Sequence, residues 1–166
     1  MKIAYLILSY GDHFSPIELK KNIGKHNIYI HPKYPQEVKS FLKNHIIPEL
    51  CETKWGDISL VRAELLLLKE AIKNDENEFF ILLSNSCYPL VSGDKIYSDL
   101  KKNNNKSMFF YVDKFKIDNY HLYKTSQFWI INKEDAKVII KYQNKYLTLL
   151  EKLHKKKYLY MMKYFF

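Results

Sequence analysis

The chain has 166 residues and a formal net charge of +9 at pH 7, and 47% of its residues are hydrophobic. This length and composition exclude a disordered tail and favour one globular domain with a packed core. The charge suggests a nucleic-acid partner, but Arg62 is the only arginine, and sites that read phosphates and bases usually use arginine. We therefore expect no specific nucleic-acid function. A basic interaction protein without a small ligand is one alternative.

The chain alternates between apolar runs and segments with helical periodicity. This order predicts an α/β fold with a mainly parallel sheet and helices on both faces. The pattern predicts strands at Lys2–Ser9, Asn27–His31, Ile46–Leu50, Phe79–Leu83, Met108–Val112 and Phe128–Ile131. It predicts helices at Phe14–Ile23, Gln36–Asn44, from Asp57 to Ile72, at Lys95–Lys102 and from Asn132 through Ile140, followed by a Lys-rich tail over residues 142–166.

The helix that follows Asp57 has the clearest amphipathic pattern. Asp57 is a good N-cap residue. Val61, Leu65, Leu68 and Ile72 follow it at spacings of four, three and four, which predicts one buried stripe.

Several common signatures of chemistry are missing from the sequence. It has no phosphate-binding glycine loop, no zinc motif and no D-x-D sequence. Cys51 and Cys87 lack metal-ligand spacing and are interpreted as reduced thiols. The apolar start at Met1 is too short to span a bilayer and has no cleavage site. We therefore expect a cytoplasmic chain with at most peripheral membrane association.

Polar residues follow the predicted strands at the edge where α/β sheets bind ligands. His31 and Lys33 follow the second strand and could contact a nucleotide, although a solvated surface turn is the commoner role. Ser84 and Ser86 follow the central strand and could bind a ligand or form an ordinary turn.

Ser126 and Gln127 lie in a polar segment that could contact an acceptor or simply lead into a strand. Phe128 and Trp129 follow them as core residues or as a platform for a sugar ring. Arg62 could contact an anionic group, but an ion pair with a glutamate of its own helix is the simpler interpretation.

Taken in order, these segments resemble the Core-2/I-branching glycosyltransferase family. The resemblance depends on an opening strand, a His-Pro strand end, a W-G-x-x-S-x-V-x-A-E helix, an L-L-S-x-S-C-x-P-L strand and turn, and a K-x-S-Q step. The matching residues are Ile3–Leu8, Ile28–Lys33, Trp55, Gly56, Ser59, Val61, Ala63, Glu64, Leu82–Leu90, Lys124, Ser126 and Gln127.

The resemblance implies a GT-A-like, Rossmann-like fold formed by residues 1–166 as a single, C-terminally incomplete domain. It implies transfer of a sugar, typically N-acetylglucosamine from UDP-GlcNAc, to a glycan acceptor with inversion at the anomeric carbon. No cofactor and no metal ion are expected, because basic side chains take the role of the cation. Donor binding is expected at His31, Lys33, Trp55, Ser84 and Ser86, and acceptor binding at Ser126 and Gln127.

The family's catalytic base is a glutamate in an Asp-Glu pair downstream of the S-Q step. This chain ends at Phe166 without that pair, and Glu151 lies outside such a motif, so no catalytic residue is assigned. A non-catalytic nucleotide-sugar or glycan-binding remnant is therefore the alternative function.

Overall fold

A computed structural model describes residues 1–10, 21–84, 86–117 and 120–155. Within these ranges, side chains are described except at residues 111–113, 115–117, 120–125, 127 and 153–155. The strands are β1 (Lys2–Ser9), β2 (Asn27–Pro32), β3 (Asn77–Ser84), β4 (Met108–Ile117) and β5 (Tyr120–Asn132). The α-helices are α1 (Ile58–Ala71), α2 (Gly93–Lys102) and α3 (Lys133–Lys155), and short 3-10 helices cover Pro35–Glu37 and Ser40–His45.

The five strands form one sheet in the order β2-β1-β3-β5-β4. β1 pairs in parallel with both β2 and β3, whereas β5 pairs antiparallel with β3 and with β4. In this sheet only β5 therefore runs against the common direction. Helices cover both faces, so the predicted α/β class with a mainly parallel sheet is confirmed.

Alternate residues of β1 serve the two hydrophobic layers, as expected for a strand buried on both faces. Ile3, Tyr5 and Ile7 pack in the layer that includes Leu100 of α2. The opposite layer is completed by α1 and α3 and contains Ala4, Leu6, Leu67, Leu68, Ala71, Phe80, Ile131 and Ala136.

The predicted stripe of α1 is right at Leu68, but the buried face is rotated about the helix axis from the predicted one. Ala63, Leu67, Leu68 and Ala71 are the buried residues of this helix. The two alanines allow the helix to approach the sheet closely, and a search for large apolar residues overlooks them. The rotation matters because it turns Glu64 towards the sheet edge described below.

The region after β2 contains two further differences from prediction. The predicted helix at Gln36–Asn44 is instead two 3-10 helices, and the predicted strand at Ile46–Leu50 is reduced to a parallel bridge between Ile30 and Ile46. The predicted helix at Phe14–Ile23 falls mostly outside the described residues, of which 21–23 are helical. In the described part of the chain, no helix is long and apolar enough to cross a bilayer.

At the amino ends of the parallel strands, the buried side chain of Asn77 is fully paired within the protein. The fully buried Asn77 accepts a hydrogen bond from Asn27 at 2.7 Å. Its own amide donates to the Tyr29 hydroxyl at 3.0 Å and to the Ala71 carbonyl at 2.8 Å. The ion pair Lys2–Glu76, at 2.8 Å, lies at the same edge. We call this region the amino edge.

Candidate functional site

The opposite ends of β1, β2 and β3 bring two of the predicted site residues to one level of the sheet. Leu8 of β1 is in register with His31 on one side and with Ser84 on the other. His31 and Ser84 therefore lie near the same carboxyl edge, two strands apart. This is the edge at which open α/β sheets bind their ligands.

A cavity of about 390 Å³ opens at the carboxyl edge, and we call it the main cavity. It contains three of the predicted donor-binding residues, His31, Lys33 and Trp55. Its volume lies within the range of small-molecule sites, roughly 300–1,000 Å³. The remaining lining residues are Leu8, Ser9, Tyr10, Thr53 and Leu60.

Lys33 brings positive charge to the main cavity. Its backbone N–H donates to the Ser9 carbonyl at 2.8 Å, which fixes the chain as it leaves β2. Its ammonium group lies 4.9 Å from the ring centre of Tyr10 and 5.3 Å from that of Tyr34, within the range of cation–π attraction. The two rings therefore hold the ammonium group at the mouth of the cavity.

His31 is buried, and this differs from a simple surface turn. Its Nε2 accepts a hydrogen bond from the Cys51 backbone N–H at 3.1 Å. Its Nδ1 is shielded from solvent and has no hydrogen-bond partner in the part of the chain that is described. Burial lowers the pKa of the imidazole below its usual value, so the ring is neutral with its proton on Nδ1.

The Trp-Gly-x-x-Ser segment forms a tight turn that presents an aromatic ring to the main cavity. Gly56 adopts a φ of +68°, and Asp57 donates its N–H to the Lys54 carbonyl at 3.2 Å. The Ser59 hydroxyl accepts from the Lys54 N–H at 2.9 Å. Trp55 consequently stands at the rim with 77% of its surface exposed. Asp57 caps α1 by accepting from the Ser59 N–H, which confirms the predicted cap.

A smaller cavity of about 50 Å³ lies beside the main cavity and shares Leu8 and Leu60 with it. We call it the side pocket. Its other lining residues are Glu64, Leu82, Leu83, Ser84 and Phe128. The predicted residue Ser84 thus lies in the side pocket and not in the main cavity.

The hydroxyl of Ser84 lies 3.1 Å from that of Ser86 and donates to the Cys87 sulfur at 3.2 Å. Ser86 itself is exposed. These contacts fit the ordinary turn that the sequence left open, and they still allow the Ser84 oxygen to accept from a ligand.

Glu64 ends the W-G-x-x-S-x-V-x-A-E motif in the sequence, but it was not predicted as a site residue. Its Oε2 accepts a hydrogen bond from the Trp129 indole at 3.3 Å. Burial raises the pKa of its carboxyl to about 7, and the bond from Trp129 opposes this only in part. Perturbed carboxyl groups beside cavities are typical of functional sites. The sequence did contain one indication. Glu64 follows Ala63 and lies on the helix face that was predicted to be buried, where a charged residue is unusual.

The predicted acceptor-side residues lie on β5. The Ser126 hydroxyl accepts from the Phe128 N–H at 3.2 Å. The side chain of Gln127 lies outside the described residues. Phe128 lines the side pocket, whereas Trp129 packs against the core layer of α1 and α3. The core interpretation therefore applies to Trp129, whereas the role of Phe128 as a platform for a sugar ring stays a prediction.

Arg62 does not face either cavity. It forms an ion pair with Glu151 of α3. The structural interpretation of this arginine holds, but its partner comes from another helix. Among the residues that can be described, no group of three or more histidine, cysteine or acidic side chains could hold a metal ion.

Comparison with known proteins identifies a family model over most of this region. The model described as Core-2/I-branching enzyme matches residues 3–118, which is more than half of the chain. The match spans β1 to β4 and every residue that lines the main cavity, whereas Phe128 of the side pocket lies outside it.

One curated relative is the glycosyltransferase BC10 of rice, Oryza sativa subsp. japonica. It is 24% identical over an alignment of 136 residues, which covers 70% of this chain and 33% of that protein. The chain therefore spans about a third of the length of this relative. Among solved structures, 4-diphosphocytidyl-2C-methyl-D-erythritol synthase from Anaerococcus prevotii matches with a TM-score of 0.47 and 15% identity, over 89% of this chain and 77% of that one.

Proposed function

The chain belongs to the Core-2/I-branching enzyme family, and from this membership we propose that it is a sugar-transferring domain that binds a nucleotide-sugar donor in the main cavity. The proposed donor is UDP-N-acetylglucosamine, and the proposed acceptor is a glycan hydroxyl. The observation that carries the proposal is the main cavity itself, which combines a cationic side chain, an exposed indole and a buried imidazole at the ligand-binding edge of the sheet.

Each of these side chains suits one part of such a donor. The indole of Trp55 offers an exposed aromatic face on which a uracil ring can stack. The ammonium of Lys33 can pair with a phosphate oxygen, and positive charge at that point stabilises the diphosphate as it departs. The imidazole of His31 lines the same cavity, but its Nδ1 is shielded from solvent, so the ring would have to turn for Nδ1–H to donate to the nucleotide.

The proposed reaction is a single displacement with inversion. A carboxylate takes the proton of the acceptor hydroxyl while the acceptor oxygen attacks the anomeric carbon from the face opposite the diphosphate. We propose that no metal ion assists, because the sequence contains no D-x-D motif and the main cavity contains a lysine. Transfer should then continue in excess EDTA, and a loss of transfer that Mn²⁺ restores would contradict this part of the proposal.

The first test is calorimetric titration of UDP into the wild-type chain and two variants. Trp55→Ala should weaken UDP binding by about 1–3 kcal/mol, roughly 5- to 150-fold, since this is the usual contribution of a base–aromatic stack. Lys33→Met should also weaken UDP binding, and the difference in affinity from the wild type should be larger at low salt, where the attraction between the ammonium group and the diphosphate is less screened. Lys106→Met is the matched control, since Lys106 is exposed in the loop before β4 and should leave binding unchanged.

A second measurement separates the enzyme from the alternative binding module. Incubation with UDP-N-acetylglucosamine and a glycan acceptor should release UDP and extend the acceptor. Binding that responds to the Trp55 and Lys33 variants without any turnover would favour a nucleotide-sugar or glycan-binding protein. No response to UDP, together with strong salt-dependent binding to nucleic acid, would contradict both.

A further inference from the structure

Glu64 is placed by α1 at the carboxyl edge, where it lines the side pocket with Ser84 and Phe128. Within the described part of the chain, its hydrogen bond from Trp129 is the one that the protein supplies. That bond uses Oε2, so Oε1 is available to a ligand. The side pocket that Glu64 lines adjoins the main cavity, because the two cavities share Leu8 and Leu60.

The charged groups near Glu64 do not neutralise it. Arg62, on the same helix as Glu64, forms its ion pair with Glu151 of α3. β1 and β3 contribute Leu8, Leu82, Leu83 and Ser84 to the pocket, and β5 contributes Phe128 and the indole of Trp129. His31 of β2 lies in the main cavity and is held neutral by burial. A half-buried carboxyl group without a cation is costly unless it is hydrogen-bonded, which points to a ligand hydroxyl as its second partner.

The size of the side pocket limits what can enter it. A volume of about 50 Å³ is too small for a sugar ring. It is enough for one hydroxyl or hydroxymethyl group, since a single water needs roughly 10–15 Å³ by a comparable measure. The ring itself would remain in the main cavity, whose volume is about 390 Å³.

We propose that Glu64 and Ser84 form a hydroxyl-binding subsite for the donor sugar. In this arrangement, a hydroxyl-bearing arm of the sugar extends from the main cavity into the side pocket and hydrogen-bonds to the Glu64 carboxyl. The subsite rests on the proposed function, because it requires that the nucleotide occupies the main cavity. It assigns the sugar to the β3 side of the site and the nucleotide to the β2 side.

The test compares UDP with UDP-N-acetylglucosamine by calorimetric titration of the same variants. In the wild type, the sugar nucleotide should bind more tightly than UDP. Glu64→Leu should lower the affinity for the sugar nucleotide at least tenfold and change the affinity for UDP less than twofold. Glu64→Gln should restore the sugar nucleotide to within threefold, because an amide can also accept from a hydroxyl. Glu70→Leu, on the same helix, should change neither affinity, since Glu70 pairs with Lys73 at the surface.

A urea midpoint for each variant checks that it folds. If Glu64→Leu does not fold, the affinity of the wild type for UDP-sugars that lack one hydroxyl tests the same contact. One of these deoxy sugars should bind at least tenfold more weakly than UDP-N-acetylglucosamine. Equal losses of UDP and sugar nucleotide in Glu64→Leu, or no deoxy sugar with reduced affinity, would overturn the subsite and leave the proposed function standing. Failure of the wild type to bind UDP would overturn the proposed function first, and the subsite with it.

Discussion

Asn77 at the amino edge and Glu64 at the carboxyl edge differ in how completely their polar atoms are paired. At the amino edge, Asn77 is paired by its side-chain oxygen and by its amide. At the carboxyl edge, Nδ1 of His31 lacks a partner in the described part of the chain, and Glu64 lies half-buried with only an indole as its donor. The fully paired Asn77 stabilises the fold. The incompletely paired Glu64, which lines the side pocket, keeps hydrogen-bonding capacity for a ligand at some cost in stability.

The largest expected effect comes from breaking the amino edge. Asn77→Ala removes three hydrogen bonds and leaves the amide of Asn27 without this acceptor, while the carbonyl of Ala71 keeps only the N–H of Asn74. We expect a loss of about 2–4 kcal/mol in the free energy of unfolding, measured by urea denaturation. Asn144→Ala, at an exposed position of α3, is the control and should change stability by less than about 0.5 kcal/mol.

The same variant also tests whether the two edges are independent. UDP affinity of the folded Asn77→Ala protein should equal that of the wild type, because the substitution lies at the far end of β3. A large change in UDP affinity, or a stability loss close to that of Asn144→Ala, would contradict the assignment of stability to Asn77 at the amino edge and of ligand binding to the carboxyl edge.

The next effect concerns the carboxyl edge and depends on pH. The pKa of Glu64 rises from 4.5 to about 7 on folding because the carboxyl is buried. The folded state therefore holds this proton more tightly, so its stabilising contribution is complete below pH 4.5 and is lost as the pH rises through 7. Relative to Glu64→Gln, the wild type should lose roughly 1–3 kcal/mol between pH 4.5 and pH 8.

Urea denaturation of both proteins across this pH range gives the difference directly. The other titrating groups cancel, because they are common to both chains. These include His26 and His31, whose lowered pKa values act in the opposite direction. A stability difference that is flat with pH would contradict the assignment of a raised pKa to Glu64.

The sequence predicted β1, β2 and β3 well because these strands are apolar runs bounded by turn residues. It missed the start of β5 at Tyr120, eight residues before the predicted strand, because the intervening sequence is largely polar. The common level of His31 and Ser84 in the sheet followed from the rule that the carboxyl ends of parallel strands meet at one edge. The rotation of α1 could not be predicted, since Ala63 and Ala71 carry little hydrophobic signal and yet are fully buried. The place of Glu64 in the side pocket depends on that rotation, so it could not be predicted either. The 3-10 helices after β2 were also missed, because a short run such as Val38, Phe41 and Leu42 fits either helix type.

The smallest expected stability effect separates backbone strain from function by using two glycines of matched geometry. Gly56 precedes α1 at the main cavity with φ +68°, and Gly24 precedes β2 with φ +62°. Neither has a heavy atom within 4 Å of an added Cβ, so alanine at either position adds only the strain of a left-handed residue, about 1–2 kcal/mol. Urea denaturation should give similar losses for Gly24→Ala and Gly56→Ala. Only Gly56→Ala should also weaken UDP binding, because that turn presents Trp55 to the cavity. Equal UDP affinities in the two variants would show that the Trp-Gly turn serves the fold and not the ligand.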